Sequence, residues 1–237
     1  MIKLRTWVKL PSRWIENAGL REFRWLRGEG SNNLAALMAL AAISHRADAD
    51  TGIVRLTYDA LCEATTLSRS KLSVGLSILV ERGQLERGVD GRSSFRLAGY
   101  APKSGWAQFP AAGLYREGTI YAFQHLHLRQ PAELDALKLY FLFASRRDRE
   151  TNVAKITYEK IELYSGVGHN SIRRALSWLS VQGLVYVEHV PSTVSENGVA
   201  NAYRLAHLDS RRHMGSSGRT DELLDALLEP ELQGHNT

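Results

Sequence analysis

Two stretches of the chain are apolar on almost every face of a helix. LAALMALAAISHR covers residues 34–46, and LDALKLYFLFASRR covers residues 134–147. Both are rich in strong helix formers, and a helix that is apolar nearly all round is normally covered on more than one side. We therefore predict one central helix in each half of the chain. Contact between these two helices, or with a second subunit, is left open by the sequence.

The pattern that follows each of these stretches is also the same. The alternating runs GIVRL (52–56) and NVAKI (152–156) predict short strands. Thr57 then suits the N-cap of a helix, and a further helix is predicted to begin at Ser68 and to stop at Gly83. Two alternating segments around a turn predict a β-hairpin at the end of each half. The apolar face of the further helix is repeated in the second half: Leu72, Leu76 and Leu79 correspond to Ile172, Leu176 and Leu179.

The two halves align without a gap when residue n is set beside residue n+100. The identical pairs include Leu34 and Leu134, Asp48 and Asp148, Thr51 and Thr151, Thr57 and Thr157, Tyr58 and Tyr158, and Gly83 and Gly183. Upstream, WVKLP (7–11) resembles WAQFP (106–110) at an offset of 99. Two copies of about 100 residues predict a pair of domains rather than a solenoid. The predicted units are an N-terminal module with a basic arm (1–99), a C-terminal module (100–208), and a flexible linker with a short acidic amphipathic tail (209–237).

The predicted order of elements, namely helix, strand, helix, turn, helix and hairpin, resembles that of a winged helix-turn-helix domain. LTYDALCEATTLSRSKLSVGLSILVERGQLERGVDGRSSFRL is similar to the core of winged-helix transcription regulators, and ITYEKIELYSGVGHNSIRRALSWLSVQGLVYVEH is similar in the second half. The resemblance covers residues 34–97 and 134–205. By architecture only, the tandem arrangement is similar to plasmid replication initiators with two winged-helix domains. The resemblance implies a mainly α fold with small β-sheets (α+β), built from two tandem winged-helix domains.

The resemblance also implies that the second helix of each helix-turn-helix enters the DNA major groove. The candidate DNA contacts are then the side chains that face away from the apolar stripe, and no acid occurs on either face before Glu81. Arginine can pair with guanine, asparagine with adenine, and hydroxyls with bases or phosphates. The candidates are Arg69, Ser70, Lys71, Ser73 and Ser77 in the first half, His169, Asn170, Ser171, Arg173, Arg174 and Ser177 in the second, and Arg87 and Arg92 in the first hairpin.

The second hairpin differs from the first in charge. It has no Lys or Arg between residues 188 and 203, so we expect the two modules to contact DNA differently. It also remains open that one module binds DNA while the other mainly holds a partner subunit.

Charge is distributed unevenly along the chain, which has a net charge of +5 and a pI near 9.4. Residues 209–237 hold three basic and six acidic residues, so the tail carries −3 and residues 1–208 carry +8. A basic body indicates a polyanionic partner. In the tail, DELLDALLEPEL (221–232) predicts an acidic amphipathic helix on a Gly- and Ser-rich tether. Docking of this helix on a protein partner, or on the basic body, is left open.

The N-terminal arm, residues 1–33, combines seven basic residues with three tryptophans, Trp7, Trp14 and Trp25. Tryptophans among basic residues can stack on the bases of single-stranded nucleic acid. Core packing is the favoured interpretation, because Trp7 is matched by Trp106 in the repeat and Pro11 by Pro110.

Few other kinds of chemistry are indicated. The chain has no run of about 18 apolar residues, and its N-terminus lacks the pattern of a secretory signal. A single cysteine, Cys62, excludes an intrachain disulfide and a multi-cysteine metal site, and it agrees with a cytoplasmic location. His125 and His127 alternate on a predicted strand without further metal ligands. No nucleophile has an identifiable base, so we expect neither enzyme activity nor a cofactor.

Together these patterns predict a cytoplasmic protein that binds double-stranded DNA. The first hypothesis is sequence-specific binding for transcriptional regulation. The second is replication initiation or control on a plasmid or other mobile element. The third is a winged-helix scaffold that binds proteins and no DNA. A homodimer and a protein partner for the acidic tail are open, and no membrane partner is expected.

Overall fold

The computed structural model describes residues 4–89, 91, 93–191 and 199–209. The fold is mixed α and β, as predicted, with helices and small antiparallel sheets. The first half contains β1 (Trp7–Pro11), α1 (Arg13–Glu16), α2 (Gly30–Arg46), β2 (Ile53–Arg55), α3 (Tyr58–Thr65), α4 (Arg69–Glu81), β3 (Leu85–Arg87) and β4 (Ser94–Leu97). The second half contains β5 (Trp106–Pro110), β6 (Tyr115–Arg116), β7 (Thr119–Ile120), α5 (Pro131–Arg146), β8 (Val153–Lys155), α6 (Tyr158–Ser165), α7 (His169–Val181), β9 (Val185–Pro191) and β10 (Val199–Leu205).

Apart from α1 in the first half and the short strands β6 and β7 in the second, each half repeats one order of elements: strand, long helix, strand, two helices and hairpin. The second strand of each hairpin pairs both with the first hairpin strand and with the strand that follows the long helix, giving sheets of order β2-β4-β3 and β8-β10-β9. The 3-10 helix Gly19–Glu22 precedes α2, and the 3-10 helices Ala112–Leu114 and Tyr121–His125 precede α5. The predicted boundary near residue 100 falls between β4 and β5.

Hydroxyl side chains cap the N-termini of α3, α4 and α6. Thr57, Ser68 and Thr157 each accept a hydrogen bond from the main-chain N–H three residues later, at 3.2, 3.3 and 3.4 Å. Such bonds satisfy N–H groups that the first turn of a helix leaves without partners. The predicted N-cap at Thr57 and the predicted helix start at Ser68 are thus confirmed. Gly168 stands at the equivalent position before α7 and has no side-chain cap.

The repeated Asp and Thr residues form the same turn in both halves. Asp48 Oδ1 accepts hydrogen bonds from the main-chain N–H and the hydroxyl of Thr51, at 2.9 and 2.8 Å. Asp148 Oδ1 accepts the same two bonds from Thr151, both at 2.9 Å. These hydrogen bonds lower the pKa of both aspartates, because they stabilise the ionised carboxylate. The turns lead from the long helices into β2 and β8.

The two central helices pack against each other inside one chain. Every residue from 34 to 45 in α2 is buried, as is every residue from 136 to 144 in α5. The helices contact each other directly, which resolves one alternative that the sequence left open. Buried apolar side chains of both halves belong to one continuous core cluster. Removal of either half would therefore expose a large apolar surface of the other.

The strands β1 and β5 form a two-stranded antiparallel sheet, which we call the ribbon. Trp7 lies opposite Pro110, Lys9 opposite Gln108, and Pro11 opposite Trp106. The indole rings of Trp7 and Trp106 stack, with centroids 5.9 Å apart and planes 14° from parallel. The two repeated tryptophans thus pack on each other, but Trp7 is 36% exposed and neither ring belongs to the core, so the expected core packing is not observed for this pair.

The segments that precede the central helices contact the opposite half of the chain. Thr119 Oγ1 donates a hydrogen bond to the main-chain oxygen of Glu63, at the end of α3, over 2.9 Å. Arg21 Nη1 donates a hydrogen bond to the main-chain oxygen of Leu163, in the equivalent part of α6, over 3.1 Å. These two hydrogen bonds are reciprocal. Each half donates one bond to the third residue from the end of α3 or α6 in the other half.

Candidate nucleic-acid interface

The helices α4 and α7 lie on the outside of α2 and α5, and we call them the outer helices. In α7, the buried residues are Ile172, Ala175, Leu176 and Leu179. In α4, they are Leu72, Gly75, Leu76 and Leu79. The apolar stripe predicted from the sequence is therefore buried in both helices, and the opposite face of each helix is available to a partner.

The outward face of α7 carries all six of the candidate residues predicted there. His169, Asn170, Ser171, Arg173, Arg174 and Ser177 are all exposed. Within the part of the chain that the structure describes, neither Arg173 nor Arg174 has a hydrogen bond or an ion pair. The sequence of α7 contains no acid. Two guanidinium groups are thus presented to solvent on a helix without carboxylates, which suits an anionic partner. Glu159 of α6 lies close enough to His169, at the start of the face, for their charges to interact. Hydrogen bonds from its own main chain and from Thr157 lower the pKa of Glu159, and the interaction with His169 lowers it further.

The geometry of this face follows from helical spacing. Asn170, Arg173, Arg174 and Ser177 are related by steps of three or four residues, so they lie on one side of the helix. From Asn170 to Ser177 the helix rises about 10 Å. That length corresponds to about three base pairs at a spacing of about 3.4 Å. His169, at the start of the face, packs edge-on against Tyr158 of α6 with ring centroids 5.0 Å apart.

The cations of α4 are placed differently, because both bind groups of the same chain. Lys71 Nζ donates hydrogen bonds to Ser31 Oγ and Asn32 Oδ1, each over 2.7 Å, at the beginning of α2. Arg69 Nη2 forms an exposed ion pair with Asp59 Oδ1 at 2.5 Å. Lys71 thus attaches the outer helix to the central helix. Arg69 is exposed, and its ion pair lies on the surface where solvent screens it.

The remaining outward face of α4 is uncharged. Ser70 is exposed, while Ser73 and Ser77 are half-buried, and the Ser77 hydroxyl donates to the main-chain oxygen of Ser73 over 3.1 Å. Val74 is 42% exposed, although valine is apolar. Val74 was not among the predicted contacts, because only polar side chains were expected to contact DNA. The sequence nevertheless indicated that Val74 faces outward, because it lies outside the spacing of the buried leucines and corresponds to Arg174 in the second half.

The hairpins contribute fewer free cations than their composition suggests. Arg87 is exposed at the end of β3, and Arg92 lies outside the described residues. Arg96 pairs with Glu86 across the first hairpin at 3.6 Å. Arg204 binds both carboxylate oxygens of Glu188 across the second hairpin, at 2.5 and 3.0 Å. Equivalent strands therefore hold equivalent ion pairs, of which the Arg204 pair is the less exposed.

Lys9 and Trp14 of the basic arm pack within the chain, whereas Arg5, Arg13, Arg24 and Arg27 are exposed. Lys9 Nζ donates a hydrogen bond to the main-chain oxygen of Pro102 over 2.9 Å and lies 5.4 Å from the centroid of Trp106. Trp14 packs against Phe23 and Phe141, with ring centroids 6.2 and 6.3 Å apart. These contacts join the arm to the second half of the chain.

Other candidate chemistry is not assembled into a site. Among the described residues, no three His, Cys, Asp or Glu side chains are grouped closely enough to hold a metal ion. His125 packs edge-on against Tyr121, with centroids 5.3 Å apart. Cys62 is half-buried, and burial raises the pKa of its thiol, which disfavours the reactive thiolate. Of the helices described, none is long and apolar enough to cross a bilayer. The acidic tail lies outside the described residues.

A comparison of the chain with protein-family models, curated protein sequences and solved structures gave no match. Functional conclusions therefore rest on the residues themselves, and the outward face of α7 is the strongest candidate surface.

Proposed function

We propose that this protein binds double-stranded DNA in a sequence-specific manner through two winged-helix modules and that it acts in transcriptional regulation. The order of helix, strand, two helices and hairpin, present twice, supports the winged-helix assignment. The observation that carries the proposal is the face of α7, where Arg173 and Arg174 are exposed on a helix without acids.

The chemistry of this face matches the base edges of the major groove. Arginine donates two hydrogen bonds to guanine O6 and N7, and asparagine binds adenine N6 and N7. Asn170 lies one turn before Arg173 and Arg174, so the three side chains can address neighbouring base pairs. The buried leucine-rich face of α7 holds the helix on α5, and Leu179 is fully buried. A rigid support of this kind favours specific recognition over loose electrostatic attraction.

Replication initiation or control on a plasmid or other mobile element is the second candidate. It is favoured by the presence of two unlike outer helices in one chain, an architecture similar to that of initiators with two winged-helix domains. DNA sequences selected from a random pool would separate the two functions once they are located near the gene. One operator indicates regulation, whereas an array of repeated sites indicates replication.

Fluorescence anisotropy with a labelled pool of duplexes from the flanking DNA tests the proposal. We expect binding that weakens as the salt concentration rises, because bound cations release counterions from the phosphates. The double variant Arg173→Ala with Arg174→Ala should reduce affinity, and its far-UV circular dichroism should match that of the parent protein. Absence of salt-dependent binding at physiological ionic strength would exclude both DNA functions and leave the protein-binding scaffold.

A further inference from the structure

The pairing of the ribbon has the form of a two-fold symmetric contact. In the repeat, Trp7 corresponds to Trp106 and Pro11 to Pro110. In the ribbon, Trp7 lies opposite Pro110, and Pro11 lies opposite Trp106. Such reciprocity is what a two-fold axis produces, since residue i contacts j and the equivalent of j contacts the equivalent of i. The axis passes between Lys9 and Gln108, which are equivalent residues that face each other.

The same symmetry extends to the helices that precede the outer helices. Glu63 in α3 accepts its hydrogen bond from Thr119 of the second half, and Leu163 in α6 accepts its hydrogen bond from Arg21 of the first half. The central helices α2 and α5 contact each other between these two sets of contacts. The two halves are therefore related by a rotation about one axis, and a simple translation along the chain does not describe them.

The two outer helices begin at the same end of the molecule. The ribbon contacts the C-terminal ends of the central helices: His45 stacks on Phe109 with centroids 5.2 Å apart, and Arg147 donates a hydrogen bond to Gln108. At the opposite end of α2, Ser31 and Asn32 hold Lys71 of α4. The helix between these contacts is about 20 Å long. A two-fold rotation leaves distances along its axis unchanged, and this axis passes through the ribbon. The symmetry therefore places the beginning of α7 as far from the ribbon, measured along the axis, as the beginning of α4.

The DNA site depends on whether α4 and α7 are related by a rotation or by a translation. Two reading helices related by a two-fold axis bind half-sites in inverted orientation, as operators of two-fold symmetric dimers show. Two reading helices related by translation would bind direct repeats. The beginnings of α4 and α7 face the same end of the molecule, which is the arrangement that binding of both to a single duplex requires.

The residues at equivalent positions differ in the bases that they suit. The outward positions of the two helices correspond as Ser70 with Asn170, Ser73 with Arg173, Val74 with Arg174, and Ser77 with Ser177. The α7 set suits adenine and guanine, whereas the exposed methyl groups of Val74 suit the methyl group of thymine. The half-sites should therefore be unlike in sequence although inverted in orientation.

We infer that the DNA ligand of this chain is a pair of unlike half-sites in inverted orientation, with the α7 half-site rich in guanine and adenine contacts and the α4 half-site containing a thymine contact. This inference rests on the proposed function. One chain binds one such pair, and the α4 and α7 half-sites are distinguished by Val74 and Arg174.

Selection of bound sequences from random duplex DNA tests the inference. The two half-sites that it recovers are then rebuilt as inverted and direct pairs over a series of spacings and compared by anisotropy. We expect the best inverted pair to bind at least about tenfold more tightly than any direct pair, since misplacing one half-site removes several base contacts. Equal or tighter binding of a direct pair would overturn the inference while leaving DNA binding intact. Recovery of no preferred sequence would instead contradict the proposed function.

A helix-copy variant tests the assignment of each half-site. The changes Asn170→Ser, Arg173→Ser and Arg174→Val copy the outward face of α4 onto α7, at positions that are exposed and outside the core. We expect selection with this variant to recover a site close to a palindrome, with the guanine-rich half replaced by a second copy of the α4 half. A circular dichroism melt establishes that the variant is folded. An unchanged, asymmetric site would overturn the assignment of the two half-sites to these residues.

Discussion

Glu63 and Leu163 occupy equivalent positions in the two halves, and the main-chain oxygen of each accepts a hydrogen bond from the opposite half. Thr119 provides one bond at 2.9 Å, and Arg21 provides the other at 3.1 Å. Because the central helices α2 and α5 also share one core, each half depends on the other for burial of its apolar surface. The structural repeat is consequently a pair of interdependent units.

Separate fragments of the two halves should fail to fold. We expect residues 1–99 and residues 100–208, each produced alone, to show no cooperative urea transition by circular dichroism, because each exposes the face of α2 or α5 that the other half covers. Mixing the fragments should restore a cooperative transition, and this mixture is the control for damaged protein. A cooperative transition in either fragment by itself would contradict the prediction.

Gly75 should resist substitution by alanine. A Cβ atom at this position would lie 2.9 Å from the main-chain nitrogen of Ala36, so α2 and α4 would have to separate. Helix propensity favours alanine by about 1 kcal/mol, whereas overpacking of this kind costs about 1–3 kcal/mol. We expect Gly75→Ala to lower the free energy of unfolding by up to about 2 kcal/mol, measured by urea denaturation.

Gly168→Ser is the matched control for that substitution. It adds a side chain where no atom lies within 4 Å, at φ −63° and ψ 150°, close to the −66° and 155° of Ser68. A serine N-cap exceeds glycine by only a few tenths of a kcal/mol. Gly168→Ser should therefore leave stability unchanged or slightly raised. If Gly168→Ser lowered the free energy of unfolding as much as Gly75→Ala, close packing of α4 on α2 would not be the cause of the Gly75 effect.

Arg173 should make a larger contribution to DNA affinity than Arg149, which carries the same charge. Arg149 lies 4.5 Å from the centroid of Trp106, at the ribbon. We expect Arg173→Ala to weaken binding to the preferred site by about 1–3 kcal/mol and to relax preference at one base pair. Arg149→Ala should have little effect in the same anisotropy assay. If Arg173→Ala lowered the affinity equally for every DNA sequence, Arg173 would be identified as a phosphate contact.

Acid should destabilise the protein through His45. Burial and the neighbouring charge of Arg46 lower the pKa of His45 from 6.5 to about 3, so the folded protein keeps this ring neutral. Between these values the unfolded chain binds a proton that the folded chain does not, and stability falls as the pH falls, by at most about 1.4 kcal/mol per pH unit. His45→Gln should reduce this dependence between pH 6.5 and 4 in urea titrations. Identical pH dependence in both proteins would show that His45 is not responsible.

Features that depend on local spacing could be predicted from the sequence. The all-round apolar pattern of residues 34–46 and 134–147 predicted the two buried central helices, and the hydroxyl of Thr57 predicted a helix start. The repeat also predicted that the patterns of both halves would recur in one order of elements. In these cases neighbours along the chain determine the result.

Features that depend on distant neighbours could not be predicted in this way. Lys71 faces away from the leucine stripe of α4, so spacing indicated a free cation, but Ser31 and Asn32 of another helix bind its ammonium group. The antiparallel pairing of Trp7 with Pro110 likewise requires the rotation of one half against the other, which no pattern within either half encodes. Val74 was missed for a different reason: its position outside the leucine spacing is visible in the sequence, but only polar side chains were expected to contact DNA.

The ribbon joins two halves of one chain where a homodimer would join two chains. The folded state of an obligate homodimer depends on protein concentration, whereas the corresponding interface here is intramolecular and survives any dilution. A single codon change in a homodimer alters both copies of a helix at once. In this chain Ser73 and Arg173 are encoded separately, so each outer helix can change its partner while the other keeps its own.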